Sequence, residues 1–218
     1  MKWIPAVIFC LIIKTGTAQF DFAPWKSISR GIDFVSDTAP LNPNAVGDRY
    51  LDSVYGTNQT FDFQWRLWCG GLTNLSTKVF VMSLSGDAWT ARYFYANPGW
   101  QKDRMQFKEG PVDQKKLPQL WYKLSRSNLL TIPPERSLVA KETTFSIDTA
   151  GLDYSEGRLI VLDGLRYRFE LLKPFKQRYF SYGNPRIYFQ RYPYLEELCN
   201  VVLIIMLVER YVGISFEK

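Results

Sequence analysis

The clearest alternation of apolar and polar positions runs through residues 158–182. Leu159 to Leu162 is a short apolar run, and Asp163-Gly164 follows it. Successive side chains of a strand point to opposite faces, and Asp-Gly is typical of a tight hairpin turn. The pattern predicts an antiparallel meander of three strands, the third being Arg178 to Tyr182, with its aromatic side chains turned inward. Its middle strand has an apolar or aromatic residue at every second position: Leu165, Tyr167, Phe169 and Leu171.

Strand patterns also precede this meander. Phe61 to Leu67 alternates strictly, and Gly70-Gly71 is expected to end that strand. Residues 151–157 are expected to form a loop that leads into the meander. Further strands are predicted from β-branched and aromatic content at Lys78–Leu84, Trp89–Tyr95, Gln106–Lys108 and Thr143–Ile147.

Two segments have the helical period instead. Leu117 to Asn128 carries apolar residues on one stripe, and Tyr194 to Val212 is apolar around most of its circumference. The uninterrupted apolar run Val201–Val208 is far shorter than the roughly 20 residues that span a bilayer. We therefore predict a buried core helix and no transmembrane segment after signal removal. The predicted fold class is α+β: an antiparallel, meander-rich β-sheet packed against a long C-terminal helix, with a second, shorter helix.

The N-terminus has the pattern of a secretory signal. Lys2 is followed by the apolar run Ile4 to Ile13, and Gly16 and Ala18 are small residues placed for cleavage before Gln19. We expect residues 1–18 to be a signal peptide and the protein to be exported, to the periplasm or the extracellular space.

The remaining chain divides into a segment and a domain. Residues 19–57 are rich in Pro, Asn, Gly and Asp and are expected to be extended, with a short strand or helix near Arg30 to Val35. Residues 58–218 are expected to form a single α+β domain. Arg92-Tyr93-Phe94 and Arg178-Tyr179-Phe180 each precede an Asn-Pro turn, so residues 58–110 and 143–192 are either two related sheet halves or similar by coincidence.

Export would change the expected state of the cysteines. Cys10 would leave with the signal, so only Cys69 and Cys199 would remain. In an oxidising compartment the two can form a disulfide, worth about 4–5 kcal/mol in the chain-entropy model for so large a loop. The alternative is two separate buried thiols.

Composition excludes several kinds of catalytic site. The chain has no histidine, which excludes Ser-His-Asp and Cys-His arrangements and histidine-based metal sites. No phosphate-binding or dinucleotide-binding glycine motif is present, so neither a cofactor nor a metal is predicted. A glycosidase-like carboxylate pair is the remaining catalytic hypothesis, although Asp62 and Glu170 are expected to face solvent. Its candidates are Asp62, Asp87, Glu109, Asp163 and Glu170.

The most suggestive chemistry is a basic and aromatic stretch at residues 166–191. Its seven Lys and Arg residues stand against Glu170 alone, within a chain whose net charge is +6. Removing Lys2 and Lys14 would leave +4, a mild excess that does not indicate nucleic acid. The candidate binding residues are Arg166, Arg168, Arg178, Tyr167, Tyr179 and Tyr182. The alternative is that these arginines form the wet face of a sheet whose other face carries the aromatic rings.

The sequence therefore predicts an exported, non-enzymatic protein that binds through an Arg/Tyr-rich sheet surface. The expected partner is an anionic glycan, an envelope component or another secreted protein. One alternative is a histidine-free glycan hydrolase that uses carboxylates. Another is an inhibitor or immunity-type partner of a secreted protein, which would require an exposed apolar patch with a polar rim.

Overall fold

The computed structural model describes residues 32–35, 61–71, 77–96, 107–147, 154–157, 159–161 and 164–216. The predicted signal and most of segment 19–57 lie outside these ranges. Four α-helices are described, α1 (Leu117–Arg126), α2 (Val139–Glu142), α3 (Pro185–Arg191) and α4 (Glu196–Val212). The strands are β1 (Phe63–Gly71), β2 (Thr77–Ser85), β3 (Ala88–Ala96), β4 (Phe107–Gly110), β5 (Thr144–Ile147), β6 (Tyr154–Gly157), β7 (Leu165–Lys173) and β8 (Lys176–Gly183).

Six of these strands form one antiparallel sheet in the order β4-β3-β2-β1-β7-β8, and β5 and β6 form a separate hairpin. Strands β1, β2 and β3 follow one another in the chain and pair in that order as hairpins. Strand β7 pairs with the other edge of β1, and Arg66 lies opposite Glu170. The predicted α+β class with an antiparallel sheet under a long C-terminal helix is confirmed.

One face of the sheet packs against the helices, and we call it the core face. Helix α4 buries one side on it through residues such as Leu198, Val201 and Ile205, and α1 contributes Leu120 and Trp121. The period-two pattern of the strands explains this face, because every second residue is aromatic or aliphatic. Its strand residues are Phe63, Trp65, Leu67, Cys69, Phe80, Met82, Leu84, Ala91, Tyr93, Tyr167, Phe169, Leu171, Phe180 and Tyr182.

The two predicted helices are confirmed with small changes of boundary. Helix α1 ends at Arg126, and α4 begins at Glu196 and ends before Gly213, whose φ of 74° stops the helix in the left-handed conformation that glycine tolerates. Helix α3 was not predicted. Pro185 lies in the first turn of α3, where the backbone N–H has no partner within the helix and its absence in proline is harmless. The Asn184-Pro185 pair, which predicted a turn, therefore also begins a helix.

The predicted three-stranded meander is wrong in its first strand. Residues 159–161 are neither helix nor strand, and β7 pairs instead with β1 and β8. The backbone N–H groups of Leu159 and Val161 donate to the hydroxyls of Tyr192 (3.1 Å) and Tyr188 (3.4 Å). Two tyrosine hydroxyls therefore satisfy backbone groups that a sheet neighbour would otherwise bond.

Three other boundaries also differ from the prediction. Strand β1 continues through Gly70 and Gly71, because both pair with β7. Tyr154–Gly157 is strand β6 rather than loop, since it pairs with β5. Residues 32–35 have no regular structure, but Ile32 and Phe34 are buried in the core and Lys173 Nζ donates to the Ile32 carbonyl at 2.7 Å.

Cys69 and Cys199 are free, so of the two alternatives the disulfide is not formed. Cys69 is buried on the core face of β1, and Cys199 is exposed on the side of α4 that faces away from the sheet. Cys69 Sγ lies 3.9 Å from the carbonyl of Phe216, beyond the C-terminal end of α4, whereas Cys199 is in the first turn of that helix. The alternative of two separate thiols holds, although only Cys69 is buried.

The two Arg-Tyr-Phe segments occupy different positions in the sheet. Tyr93 lies on the core face, with Phe94 on the opposite face, whereas Tyr179 lies opposite the core face and Phe180 on it. The two triplets therefore point in opposite directions, and nothing in the structure decides between a common origin of residues 58–110 and 143–192 and a coincidence.

Arg178 on β8 fixes the segment that follows α1, and its removal should destabilise the fold. Its Nη1 donates to the Leu130 carbonyl at 2.6 Å and its Nη2 to the Ile132 carbonyl, and the residue is buried. We expect Arg178→Met to lower the free energy of unfolding by about 1.5–3 kcal/mol, since charge-assisted bonds are lost and buried carbonyls remain. Urea denaturation monitored by tryptophan fluorescence measures this.

The matched control is Arg191→Met, because Arg191 is exposed at the end of α3. That change should alter the free energy of unfolding by no more than about 0.5 kcal/mol. Equal losses in the two variants would contradict the structural role assigned to Arg178.

Candidate functional site

The structure divides the six predicted binding residues between the two faces of the sheet. Tyr167 and Tyr182 are buried on the core face. Arg178 points to the same side and is buried with them. Only Arg166, Arg168 and Tyr179 lie on the opposite side, which we call the second face. Aromatic rings on the core face and guanidinium groups on the second face were expected. Strand β7 has this arrangement, but Arg178 of β8 is on the core face.

Tyr182 and Arg178 serve the core rather than a surface. The Tyr182 hydroxyl donates to the Pro133 carbonyl at 2.5 Å, and burial raises the pKa of this phenol well above its usual range. Together with the two carbonyl contacts of Arg178, this bond holds residues 130–133 against β8. These two side chains are therefore unavailable to a ligand.

The second face contains a buried charge cluster in the middle of the sheet. Glu170 is fully buried, with its carboxylate 2.7 Å from Arg168 Nε and 3.6 Å from Arg66 Nη1. Arg66 Nε donates to Gln64 Oε1 at 2.6 Å, and Gln64 Nε2 donates to Ser83 Oγ at 2.9 Å. The expectation that Glu170 faces solvent is wrong, because the residue is buried with Arg66 of β1 and Arg168 of β7 beside its carboxylate.

Apolar side chains fill the rest of this face towards β3 and β4. Arg168 covers the Trp68 ring, with its guanidinium carbon 4.5 Å from the ring centroid. Val79–Met82 is apolar at both odd and even positions, which is the sequence signal that β2 is buried on two sides. The buried apolar residues of the second face are Trp68, Val79, Val81, Phe94, Ala96 and Phe107. The second face, which the sequence predicted to be exposed to solvent, is therefore mostly buried.

Exposure on the second face rises towards β8, which forms one end of the sheet. Arg166 Nη1 donates to Ser181 Oγ at 3.1 Å, and the Tyr179 hydroxyl donates to Gln177 Oε1 at 2.8 Å. The exposed or half-buried side chains of this region form a polar, cationic group that we call the β7–β8 strip: Arg166, Arg168, Gln177, Tyr179 and Ser181.

The candidate carboxylates that the structure describes do not converge with one another. Glu109 forms a bidentate ion pair with Arg92, whose hydrogen bond lowers the pKa of the carboxyl, so Glu109 is a poor general acid. Four strand intervals separate β4 from β7, which places Glu109 and Glu170 roughly 19 Å apart. Asp62 accepts a hydrogen bond from the Gly86 N–H at 2.7 Å and so fixes the β2–β3 turn. Asp163 lies outside the described residues.

A second surface lies on the opposite side of the molecule, on the helices. Leu203 and Met206 of α4 are 42% and 53% exposed, although the sequence predicted a buried core helix. A groove of about 420 Å³ runs between α3 and α4, lined by Phe189, Val202 and Met206 with an ion pair between Arg186 and Glu209 at its edge. This is an exposed apolar patch with a polar rim.

Within the described ranges, no group of His, Cys, Asp and Glu side chains has the arrangement of a metal site. The same part of the chain contains no helix with the length and apolar character needed to cross a membrane.

Removing the Glu170 carboxylate should test the buried cluster. We expect Glu170→Gln to lower the free energy of unfolding by about 3–5 kcal/mol, because it leaves Arg66 and Arg168 close together without their shared anion. Thermal and urea unfolding of the purified protein measure the loss.

Glu109→Gln is the matched control, because it also breaks an Arg–Glu pair on the second face, at a position where both side chains are substantially exposed. Its cost should stay below about 1 kcal/mol. If Glu170→Gln were as mild as Glu109→Gln, the charge cluster would not stabilise the sheet.

No protein-family model matches the chain, and no curated protein matches it significantly.

Proposed function

We propose that the protein is an exported, non-enzymatic protein that binds an anionic glycan of the cell envelope or its surroundings through the β7–β8 strip. The observation that carries this proposal is the position of Arg166 and Arg168 on β7, with Ser181 opposite Arg168 and Tyr179 further along β8, where the second face is most exposed. The secretory pattern of residues 1–18 supports an extracytoplasmic partner.

The chemistry of the strip suits sulfate or carboxylate groups on a sugar chain. An arginine fork donates two parallel hydrogen bonds to such groups, and hydroxyl and amide side chains donate to sugar hydroxyls. Glu170 neutralises part of the charge of Arg168, whereas Arg166 bonds only the neutral hydroxyl of Ser181 among the contacts described for it. Arg166 is therefore the principal anion-binding group of the strip.

A linear ligand would lie along β7 and β8. Arg166 is near one end of β7, and Gln177 is near the opposite end of the hairpin, with Tyr179 between them. Residues two apart in a strand are separated by about 6.6 Å, so successive outward side chains can contact different parts of an extended sugar chain. The tyrosine ring offers a flat apolar surface for a sugar face.

Binding to dextran sulfate, with neutral dextran as the control ligand, tests the proposal. We expect dextran sulfate to bind and neutral dextran not to bind. Arg166→Glu should weaken the binding about tenfold or more, because it removes one cation and adds a repelling anion. Isothermal titration calorimetry at several salt concentrations measures the affinity and its dependence on ionic strength.

Arg191→Glu changes the net charge by the same amount at an exposed position on α3, in the helical layer. It should reduce affinity far less than Arg166→Glu. Equal effects would mean that net charge, and not the strip, attracts the ligand. Indistinguishable binding of the two dextrans would overturn the proposal.

A further inference from the structure

The side of α4 that faces away from the sheet carries five exposed residues in one line. Glu196, Cys199, Leu203, Met206 and Arg210 are spaced by three, four, three and four residues, and every one is exposed. A repeat of this kind keeps side chains on a single stripe of a helix, and it is the spacing by which two helices pack together. We call these five residues the α4 outer stripe.

The two charged residues of this stripe have opposite signs and lie at equal distances from its centre. Leu203 stands seven residues from Glu196 and seven from Arg210, with apolar or weakly polar side chains between. In the described part of the chain neither Glu196 nor Arg210 makes an ion pair. Their neighbours do, because Glu197 pairs with Lys141 and Glu209 pairs with Arg186. The two end charges thus remain available to another molecule.

We propose that α4 is a homodimerisation helix, which packs antiparallel against α4 of a second copy around a two-fold axis at Leu203. In this arrangement Glu196 of each copy lies opposite Arg210 of the other, and Leu203 meets its own counterpart. Cys199 lies beside Met206 of the second copy, so the apolar middle of the stripe is covered.

The stripe complements a second copy of itself in one orientation only. An isologous contact requires a surface that matches itself after a two-fold rotation, and a stripe with opposite charges at equal distances from its centre does so. A parallel pair would instead place Glu196 beside Glu196 and Arg210 beside Arg210. Like charges at those positions repel, so the antiparallel orientation is favoured.

The groove between α3 and α4 extends the same contact. Met206 belongs both to the outer stripe and to the groove lining, and Phe189 and Gln190 of α3 lie beside it. A contact built around one helix of 17 residues falls at the small end of protein interfaces, so the dimer should dissociate in the micromolar range.

Charge reversal at the two ends tests the dimer. Sedimentation velocity of the purified protein should show concentration-dependent dimerisation. Glu196→Arg and Arg210→Glu should each raise the dissociation constant about tenfold or more, since each replaces two attractive pairs by two repulsive ones. An equimolar mixture of the two variants should dimerise again, because the heterodimer contains only opposite-charge pairs.

Cysteine crosslinking tests the orientation. Along the helix axis the two Cys199 residues would be about 12 Å apart, too far to form a disulfide. We therefore expect no covalent dimer from the natural sequence under mild oxidation. A Leu203→Cys change in a Cys199→Ser background places the thiols at the two-fold axis, and it should form a covalent dimer in high yield.

Each result decides for or against the proposal. A protein that stays monomeric at 200 μM or more would overturn it and leave the patch to a different secreted protein. A dimer that ignores both charge reversals would use another surface, and a Cys199–Cys199 crosslink would show parallel helices. Circular dichroism of each variant checks that the helix and sheet are intact, and none of these outcomes depends on glycan binding.

Discussion

The pairing of β1 with β7 joins the two parts of the sheet and decides which side chains each face carries. It brings a strand from the C-terminal half of the chain into the middle of a sheet that otherwise consists of consecutive hairpins. Its register places Trp65, Leu67 and Cys69 beside Leu171, Phe169 and Tyr167 on the core face. The same register places Arg66 opposite Glu170 on the second face. A shift by one residue would exchange the faces and bury the charges against α4.

The sheet is buried on both sides around this contact, and the two sides are held together by different means. Stacked and edge-on aromatic rings, such as Phe169 on Phe180 with ring centroids 4.8 Å apart, fill the core face. On the second face, Glu170 is stabilised by two arginines, and Arg168 also lies over the ring of Trp68. A buried carboxylate is tolerated only when cations and hydrogen bonds replace its water, so Arg168, which the sequence presents as part of a binding surface, serves first to stabilise the fold.

Local patterns predict most of the elements of this fold but not their neighbours. The period-two runs locate β1, β7 and β8, and the helical stripes locate α1 and α4, because side-chain direction follows from backbone geometry alone. The β-branched and aromatic content of Lys78–Leu84 and Trp89–Tyr95 locates β2 and β3. The pairing of β7 with β1 depends on distant residues, and so does the burial of Glu170. Arg178 shows what a local pattern cannot predict. It lies in a regularly alternating strand, yet its guanidinium group is on the core face, where it donates to the carbonyls of Leu130 and Ile132. Likewise, the apolar circumference of α4 predicts burial on all sides, but the sheet can cover only one.

The two proposed surfaces lie on opposite sides of the molecule, and this arrangement links them. The β7–β8 strip is on the second face of the sheet, whereas the α4 outer stripe is on the far side of the helical layer. A dimer formed through α4 would therefore leave both strips open and directed away from the interface. A polymeric glycan presents the same anionic group many times, so two strips on one dimer would bind it with much greater avidity than one. Weak sites on each subunit and a weak helix contact would then reinforce each other, because binding to one chain raises the local concentration of the protein and so favours the dimer.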